Sequence, residues 1–562
     1  MRVLGINAVF HDPSAALVAG GRIVAAAEEE RFSRRKHGKR PVPFAAWELP
    51  EKAAAWTLSC AGLAPSDLDA VAYSFDPSMC RAADEVGLAD PWDWLRQDYA
   101  ARAPEFLATA LPGLDPAVVV FVPHHVAHAA SAGLAFPPGP EGPAGGGPGG
   151  RDCAVLVLDG RGEVHSHLAG RYTDGVLDVL AAQELPHSLG LFYEALTEHL
   201  GFLRSSDEYK VMAMASYGQP RFLGDLRDTV RATGDGGFAV DPVDLATFAK
   251  RLEPGERWTE DHADLAASVQ RRLEEVLVQL ARWTYDAAGG PRTLAMAGGV
   301  ALNCVANSRI VAETPFERVW VQPAAGDAGT ALGAALAVTA VREGAVEPMA
   351  GADLGRGFSD DEIEAVLRTA KVPYSRPRSI AVEAAEVLAA DGIVAWFQGR
   401  AEYGPRALGH RSLLAHPGRA ENLERVNDVK GREQFRPVAP MVLAERAAEI
   451  FSGPLPSEYM LFVHVVAPNW RDRVPAVVHV DGTARVQTVD DRREPLVAAM
   501  LRAFEQRTGL PVVVNTSLNT AGRPMVDDVR DALELFGSAP VDLLAIGPFA
   551  VHRSAVFAAP AP

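Results

Sequence analysis

Short apolar runs separated by turn chemistry open the chain. Arg2–Asn7 is largely apolar, His11-Asp12-Pro13-Ser14 is a turn, and Ala15–Val18 and Arg22–Ala27 resume around Gly20-Gly21. That pattern predicts a strand followed by a hairpin. A second copy begins at Cys153–Leu158, breaks at Asp159-Gly160-Arg161-Gly162-Glu163 and returns to an alternating stretch. Two like hairpins predict two like half-domains. Between them, Pro137–Gly150 is almost wholly Pro and Gly and reads as a surface loop without a chemical role. Thr293–Ala297 reads as a strand that runs through Gly298-Gly299 into a helical stretch, and the small residues Thr330–Val341 read as a helix.

Past Glu343–Gly357, rich in Gly and carrying Pro348, helix and strand patterns alternate. Ile380–Ala390 and Pro495–Arg507 read as helices, and Val526–Phe536 as a helix capped by Asp527. Ile393–Phe397, Val512–Val514 and Leu543–Ile546 read as buried strands. An independent α/β domain is therefore expected over 351–562, with another over 1–350.

The chain has 562 residues, more than a single core of roughly 250–300 residues usually holds, which supports the division. Hydrophobic residues at 48% and charged residues at 22% exclude a mainly disordered chain. Lys+Arg 54 against Asp+Glu 72 gives −18, which offers no electrostatic footprint for nucleic acid or an anionic membrane. Any bound anion must be held by a local cluster. The four cysteines are scattered, the N-terminus lacks an apolar secretory core, and Gly329–Val341 is too short to cross a bilayer, so a cytoplasmic protein is expected.

His124 and His128 stand four residues apart, one face of a helix, a spacing suited to a shared metal ion. Asp159 and Asp327, each in a Gly-flanked turn, would complete an N/O donor set for a first-row ion such as iron(II) or manganese(II); each also reads as a simple turn former. Gly298-Gly299 lets backbone approach a nucleotide closely, and Asn303 either contacts that nucleotide or caps a helix. From Arg400 to Arg436 there are eight basic residues against five acidic ones, the local cluster that an anion would need. Arg485, and Asn515-Thr516-Ser517 after a strand, offer further phosphate contacts.

Phe10-His11-Asp12-Pro13-Ser14, Glu28-Glu29-Glu30-Arg31-Phe32-Ser33, His124-His125-Val126-Ala127-His128, Asp207-Glu208-Tyr209-Lys210, Gly298-Gly299-Val300-Ala301-Leu302-Asn303 and Gly404-Pro405-Arg406-Ala407-Leu408-Gly409 occur in this order. Together they resemble the O-carbamoyltransferases of the nodulation-protein and antibiotic-biosynthesis family. The resemblance implies an N-terminal Kae1-like domain of the actin/hexokinase type, built of two ribonuclease-H-like halves, and a C-terminal YrdC-like α/β domain. It implies ATP and carbamoyl phosphate as co-substrates, carbamoyl adenylate as intermediate, and a hydroxyl on a natural product as acceptor. By motif, His124, His128, Asp159 and Asp327 would bind a metal, expected to be iron(II), with magnesium also open. His11 would be the base, Lys430 and Arg485 would act in adenylate formation, and Arg406, Asn515 and Ser517 would line that pocket. Lys210 would contact nucleotide, although the family more often has Gly before this Lys. The expected partner is a small molecule, without nucleic acid or membrane, and the chain would be a monomer or homodimer. The alternatives are a threonylcarbamoyl-type tRNA-modifying transferase, which the acidic charge opposes, and an actin/hexokinase-type ATPase without carbamoyl chemistry, which would not need the basic second domain.

Overall fold

The computed structural model describes residues 1–38, 48–88, 90–137 and 152–557. The chain separates into two compact units, Met1–Ala352 and Asp353–Pro562.

In the first unit, β1 (Arg2–Asn7), β2 (Ser14–Ala19), β3 (Arg22–Glu28), β4 (Ala70–Tyr73) and β5 (Val119–Phe121) form a sheet in the order β3-β2-β1-β4-β5. The β1–β2–β3 meander is antiparallel, while β4 and β5 join in parallel. A second sheet uses β6 (Cys153–Leu158), β7 (His165–Thr173), β8 (Val176–Glu184), β9 (Thr293–Ala297) and β10 (Arg318–Val321) in the order β10-β9-β6-β7-β8. Read from the first strand of each half, both sheets have the order 3-2-1-4-5. This repeated topology is the expected pair of ribonuclease-H-like halves. Strands β1, β4 and β6 are buried almost throughout, as apolar runs covered on both faces should be.

The helices that matter for the site follow these strands. They are α1 (His124–Gly133), α2 (Cys304–Glu313) and α3 (Ala328–Glu343). Helix α3 packs on both β1 and α1, and its small residues permit the approach, since a Cβ on Gly333 would stand 1.7 Å from the Ala127 carbonyl oxygen.

The second unit is a mixed seven-stranded sheet covered by helices. Its strands are β11 (Val394–Phe397), β12 (Arg411–Ala415), β13 (Ala439–Leu443), β14 (Gln487–Val489), β15 (Val512–Ser517), β16 (Leu543–Ile546) and β17 (Phe549–His552), in the order β14-β13-β15-β12-β11-β16-β17. Its helices include α4 (Ile380–Ala389), α5 (Glu421–Lys430), α6 (Pro495–Thr508) and α7 (Val529–Ser538). Two local readings need correction. Helix α7 begins at Val529 with Asp528 as its N-cap, accepting from the Asp531 N–H at 2.9 Å, while Asp527 pairs with Arg356 instead. Asn515, Thr516 and Ser517 lie within β15, not after it, because the ladder with β12 continues to Ser412↔Ser517. The Pro/Gly loop call falls, beyond Pro137, outside the described residues. No helix among the described residues is long and apolar enough to cross a membrane.

Candidate active site

Four side chains from three segments of the first unit converge. His124 and His128 project from the first turns of α1, Asp159 follows β6, and Asp327 stands at the N-terminus of α3. One ligand atom from each lies within 4.8 Å of all the others, and all four residues are buried. His124 Nε2 is 3.4 Å from Asp159 Oδ2 and 3.6 Å from Asp327 Oδ1; His128 Nε2 is 3.8 and 3.6 Å from the same oxygens. Ligands at about 2.1 Å from one ion would stand roughly 3.0–3.4 Å apart, so a small contraction would bring these atoms to a metal.

The surroundings fix the orientation of this set. His124 Nδ1 lies 3.2 Å from the Ser74 carbonyl oxygen, to which it donates, leaving Nε2 turned toward the carboxylates. Glu163 accepts the backbone N–H of His124 at 2.8 Å and that of Asp76 at 2.8 Å, which caps α1. Asp159 Oδ1 accepts the Gly299 N–H at 2.9 Å, so its Oδ2 faces the imidazoles. Asp327 occupies an N-cap position yet makes no capping hydrogen bond. Both its oxygens, with His124 Nε2 and His128 Nε2, are buried without a hydrogen bond. An aspartate that forgoes its own helix to face two imidazoles in a buried site needs positive charge beside it, which protonated imidazoles or a bound metal ion would supply. Burial opposes charge on Asp159 and Asp327, but the neighbouring imidazoles hold both carboxyls well below the usual range, and the carboxylates raise His124 well above its own. The residues thus fit a metal ion of the N/O-preferring kind; nothing in their geometry selects iron.

His11 borders the centre, its Nε2 3.8 Å from Asp327 Oδ2 and its Nδ1 3.0 Å from Asp12 Oδ2. Burial opposes its charge, yet Asp327 and Asp12 lift it to about 10. A cation on Asp327 would withdraw part of that pull. Sequence reasoning assigned no role to Asp12, His37, Ser74 or Glu163; only the position of Asp12 beside His11 was a signal.

The Gly298-Gly299 pair supports Asp159. Gly298 has φ 93°, and a Cβ there would stand 2.1 Å from the Leu158 carbonyl oxygen. Asn303 caps α2, accepting from Ala306 N–H at 3.1 Å, and pairs amide to amide with Gln270. Lys210 lies 3.1 Å from Asp207 and over the Phe202 ring, so its charge is already engaged.

In the second unit the basic segment does not form one pocket. Arg419 and Arg425 pair with Asp391, and Arg436 with Glu433. Arg400 and Arg411 donate to backbone carbonyl oxygens. Lys430 differs. From the last turn of α5 it enters the interior and donates to Ser517 Oγ at 3.0 Å and to Asn519. Burial, then Arg432 and Arg436, push its ammonium well below its ordinary range. Asn515 Nδ2 donates to the Ala407 carbonyl at 3.0 Å and to Gln487 Oε1 at 2.7 Å, tying the neighbours of Arg406 and Arg485 to β15. Arg406 and Arg485 each bury their Nε. Glu402, legible in the sequence only as one of the five acids of this stretch, accepts the N–H groups of Leu408 and His410 at 2.7 and 3.0 Å and so shapes the loop that carries Arg406.

A duplicated ribonuclease-H-like unit with a buried His2Asp2 centre, followed by an α/β unit with a buried lysine, defines a two-part enzyme class. The models of the carbamoyltransferase N-terminus (residues 2–114 and 95–336) and carbamoyltransferase C-terminus (residues 385–553) both match, and the chain belongs to the carbamoyltransferase family. It is similar to the nodulation protein NolNO of Sinorhizobium fredii, 36% identical over 97% of this chain and 80% of that one. The nodulation protein U of Rhizobium tropici is 32% identical over 95% and 93%, and an uncharacterised Synechocystis protein 35% identical over 98% and 97%. Among solved structures, HypF of T. kodakarensis covers 61% of this chain, aligned over 48% of its own length, at 15% identity and a TM-score of 0.35. The chain is therefore an enzyme, a carbamoyltransferase.

Proposed function

We propose that this enzyme makes carbamoyl adenylate in its second unit and transfers the carbamoyl group to an alcohol in its first. Water would cleave carbamoyl phosphate to carbamate and inorganic phosphate, and a carbamate oxygen would then bond to the α-phosphorus of ATP as the bond to the departing pyrophosphate breaks. The acceptor oxygen would then bond to the carbamoyl carbon as the bond to the phosphate oxygen breaks and AMP leaves. The observation that carries this reading is Lys430, a buried amine whose partners are neutral oxygens while Arg432 and Arg436 stand near. Such a group gains its charge when a phosphate arrives; Ser517 already contacts it, and Arg406, Arg485 and Asn515 would complete the pocket.

In the first unit, His124, His128, Asp159 and Asp327 would hold the metal, which when bound supplies a Lewis acid beside the carbamoyl or phosphate oxygens. We assign iron(II) to it, with magnesium assisting ATP. His11 Nε2 would take the acceptor's hydroxyl proton. Gly298-Gly299, Asn303 and Lys210 would border the nucleotide. The acceptor would be a hydroxyl on a sugar or polyketide portion of a natural product, such as an antibiotic; the acidic chain is a poor match for RNA. The enzyme would act in the cytoplasm as a monomer or homodimer.

Incubation with ATP and carbamoyl phosphate should release pyrophosphate. With a panel of aminoglycosides and glycosylated macrolides, one member should gain about 43 Da, the replacement of a hydroxyl hydrogen by carbamoyl. No pyrophosphate under any condition would sink the adenylate step.

A further inference from the structure

Four residues that the carbamoyl chemistry has not yet used surround His11 in a continuous hydrogen-bonded chain. Asp12 Oδ2 is 3.0 Å from His11 Nδ1, and Asp12 Oδ1 is 2.9 Å from His37 Nδ1. His37 Nε2 is in turn 2.7 Å from Ser206 Oγ. Glu30 Oε2 accepts the backbone N–H of His37 at 2.8 Å. An ionised aspartate only accepts, so both imidazoles must carry their proton on Nδ1. The two remaining nitrogens then have different fates. His37 Nε2 pairs with the Ser206 hydroxyl, whereas His11 Nε2 faces the metal centre, 3.8 Å from Asp327.

The backbone is bent to build this chain. Asp12 has φ 49° and His37 φ 59°, and Ser205, beside Ser206, has φ 56°. Two residues of the hydrogen-bonded chain and a third adjoining it, all non-glycine and in the left-handed region, mark a conformation held for its geometry, at about 1 kcal/mol or more each. The holding groups are visible. Buried Asn7 donates its Nδ2 to the carbonyl oxygens of His11 and Asp12 at 3.0 and 2.9 Å, and Glu30 secures His37. The same Asp12, Glu30 and His37 could be read as a second metal site. Each of their facing atoms, however, already takes part in a hydrogen bond, in contrast to the bare atoms of the His2Asp2 centre.

We propose that Asp12 and His37 are positioning residues for carbamoyl transfer, setting the tautomer and direction of His11 so that Nε2 presents its lone pair to the acceptor hydroxyl. The logic is that of an aspartate orienting a catalytic histidine, extended by a second imidazole that pins the aspartate's other oxygen. Asp12 also faces the positive charge that His11 gains when it takes the acceptor's proton. This inference rests on the reading of His11 as the base.

The test is steady-state transfer to the panel member that gains carbamoyl, with metal content and thermal unfolding measured on the same samples. Asp12→Asn should lower kcat about 10³-fold, because the amide no longer enforces the tautomer, with KM for the acceptor within about twofold. His37→Phe, which keeps the ring but loses the donor, should lower kcat about tenfold. His37→Asn, whose amide places a donor near the former Nδ1, should recover most of that loss. Metal content should be unchanged in all three. Unchanged kcat in Asp12→Asn, a change confined to KM, loss of metal, or equal defects in His37→Phe and His37→Asn would each overturn the proposal. Absence of product from the wild-type chain would remove the underlying reading and this inference with it, and so is distinct from a failure of the variants alone.

Discussion

The centre around Asp327 and the basic stretch from Arg400 to Arg436 carry charge in opposite ways. In the first, four buried donors of lone pairs meet, and Asp327 has both oxygens unbonded. In the second, most cations already have a carboxylate or a carbonyl oxygen, and Lys430 is buried against the neutral oxygens of Ser517 and Asn519. A run of arginines in a sequence is visible but says little, since surface ion pairs absorb them at small energetic consequence. A missing counter-charge in a buried place is the stronger signal, and only the fold displays it.

The most severe way to break the first region is Asp327→Asn. It removes one ligand charge and keeps the shape, so metal measured by plasma mass spectrometry should be lost and carbamoyl transfer should fall by about 10³-fold or more. A variant that retained metal and activity would make Asp327 a structural residue. The second region is tested by a pair of variants. Lys430→Met should lower pyrophosphate release about 10²- to 10³-fold, since one phosphate-facing charge disappears from a desolvated site. Arg425→Ala, which gives up Asp391 and Asn422, should stay within about twofold. Equal losses would mean that the whole basic stretch acts as one pocket, contrary to the pairing described.

Gly298→Ala probes how the backbone supports the metal centre. The added Cβ would stand 2.1 Å from the Leu158 carbonyl oxygen at φ 93°, so the Gly298 turn and the end of β6 that leads into Asp159 must move apart. A stability loss of about 4 kcal/mol is expected by urea unfolding, with weakened metal binding in the folded fraction. The neighbouring Gly299→Ala meets only Asp159 Oδ1 at 3.3 Å and should be milder.

How much of this was legible beforehand follows from what each feature depends on. β1, β6 and β9 appear with the bounds that their apolar runs predict, because a strand buried on both faces needs little beyond its own sequence. His124 and His128 were readable as a pair through helical spacing, and Asp159 and Asp327 through their turns. That these four meet depends on two sheets and α3 packing together, which no local pattern encodes. The end of β15 was misplaced because Asn515 and Ser517 are polar, yet the ladder to β12 carries them inside. Asp12 and His37 lie 25 residues apart and meet through left-handed backbone at both positions, a conformation that sequence rarely announces for either type.

A last comparison lies within the first unit, between a buried carboxylate beside imidazoles and one without them. Glu29, only 6% exposed, accepts the Ala53 N–H at 2.9 Å, but burial outweighs that bond and the nearby Lys52, and pushes its carboxyl up to about 7. Asp159 and Asp327 move the other way because their neighbours carry positive charge. The signs of their effects on stability must differ accordingly. With the folded value above the unfolded one of 4.5, Glu29 costs nothing below pH 4.5; its cost grows as pH rises and levels off above about 7. The displacement corresponds to at most about 3 kcal/mol. Glu29→Gln keeps the acceptor for Ala53 and removes the ionisation. Its stability advantage over the wild-type chain in urea should therefore be near zero at pH 4.5, rise to about 2 kcal/mol by pH 7, and stay flat to pH 8.5. An advantage that did not vary with pH would show that burial does not displace the Glu29 carboxyl, and a disadvantage that grew as pH rose would place Glu29 with the aspartates.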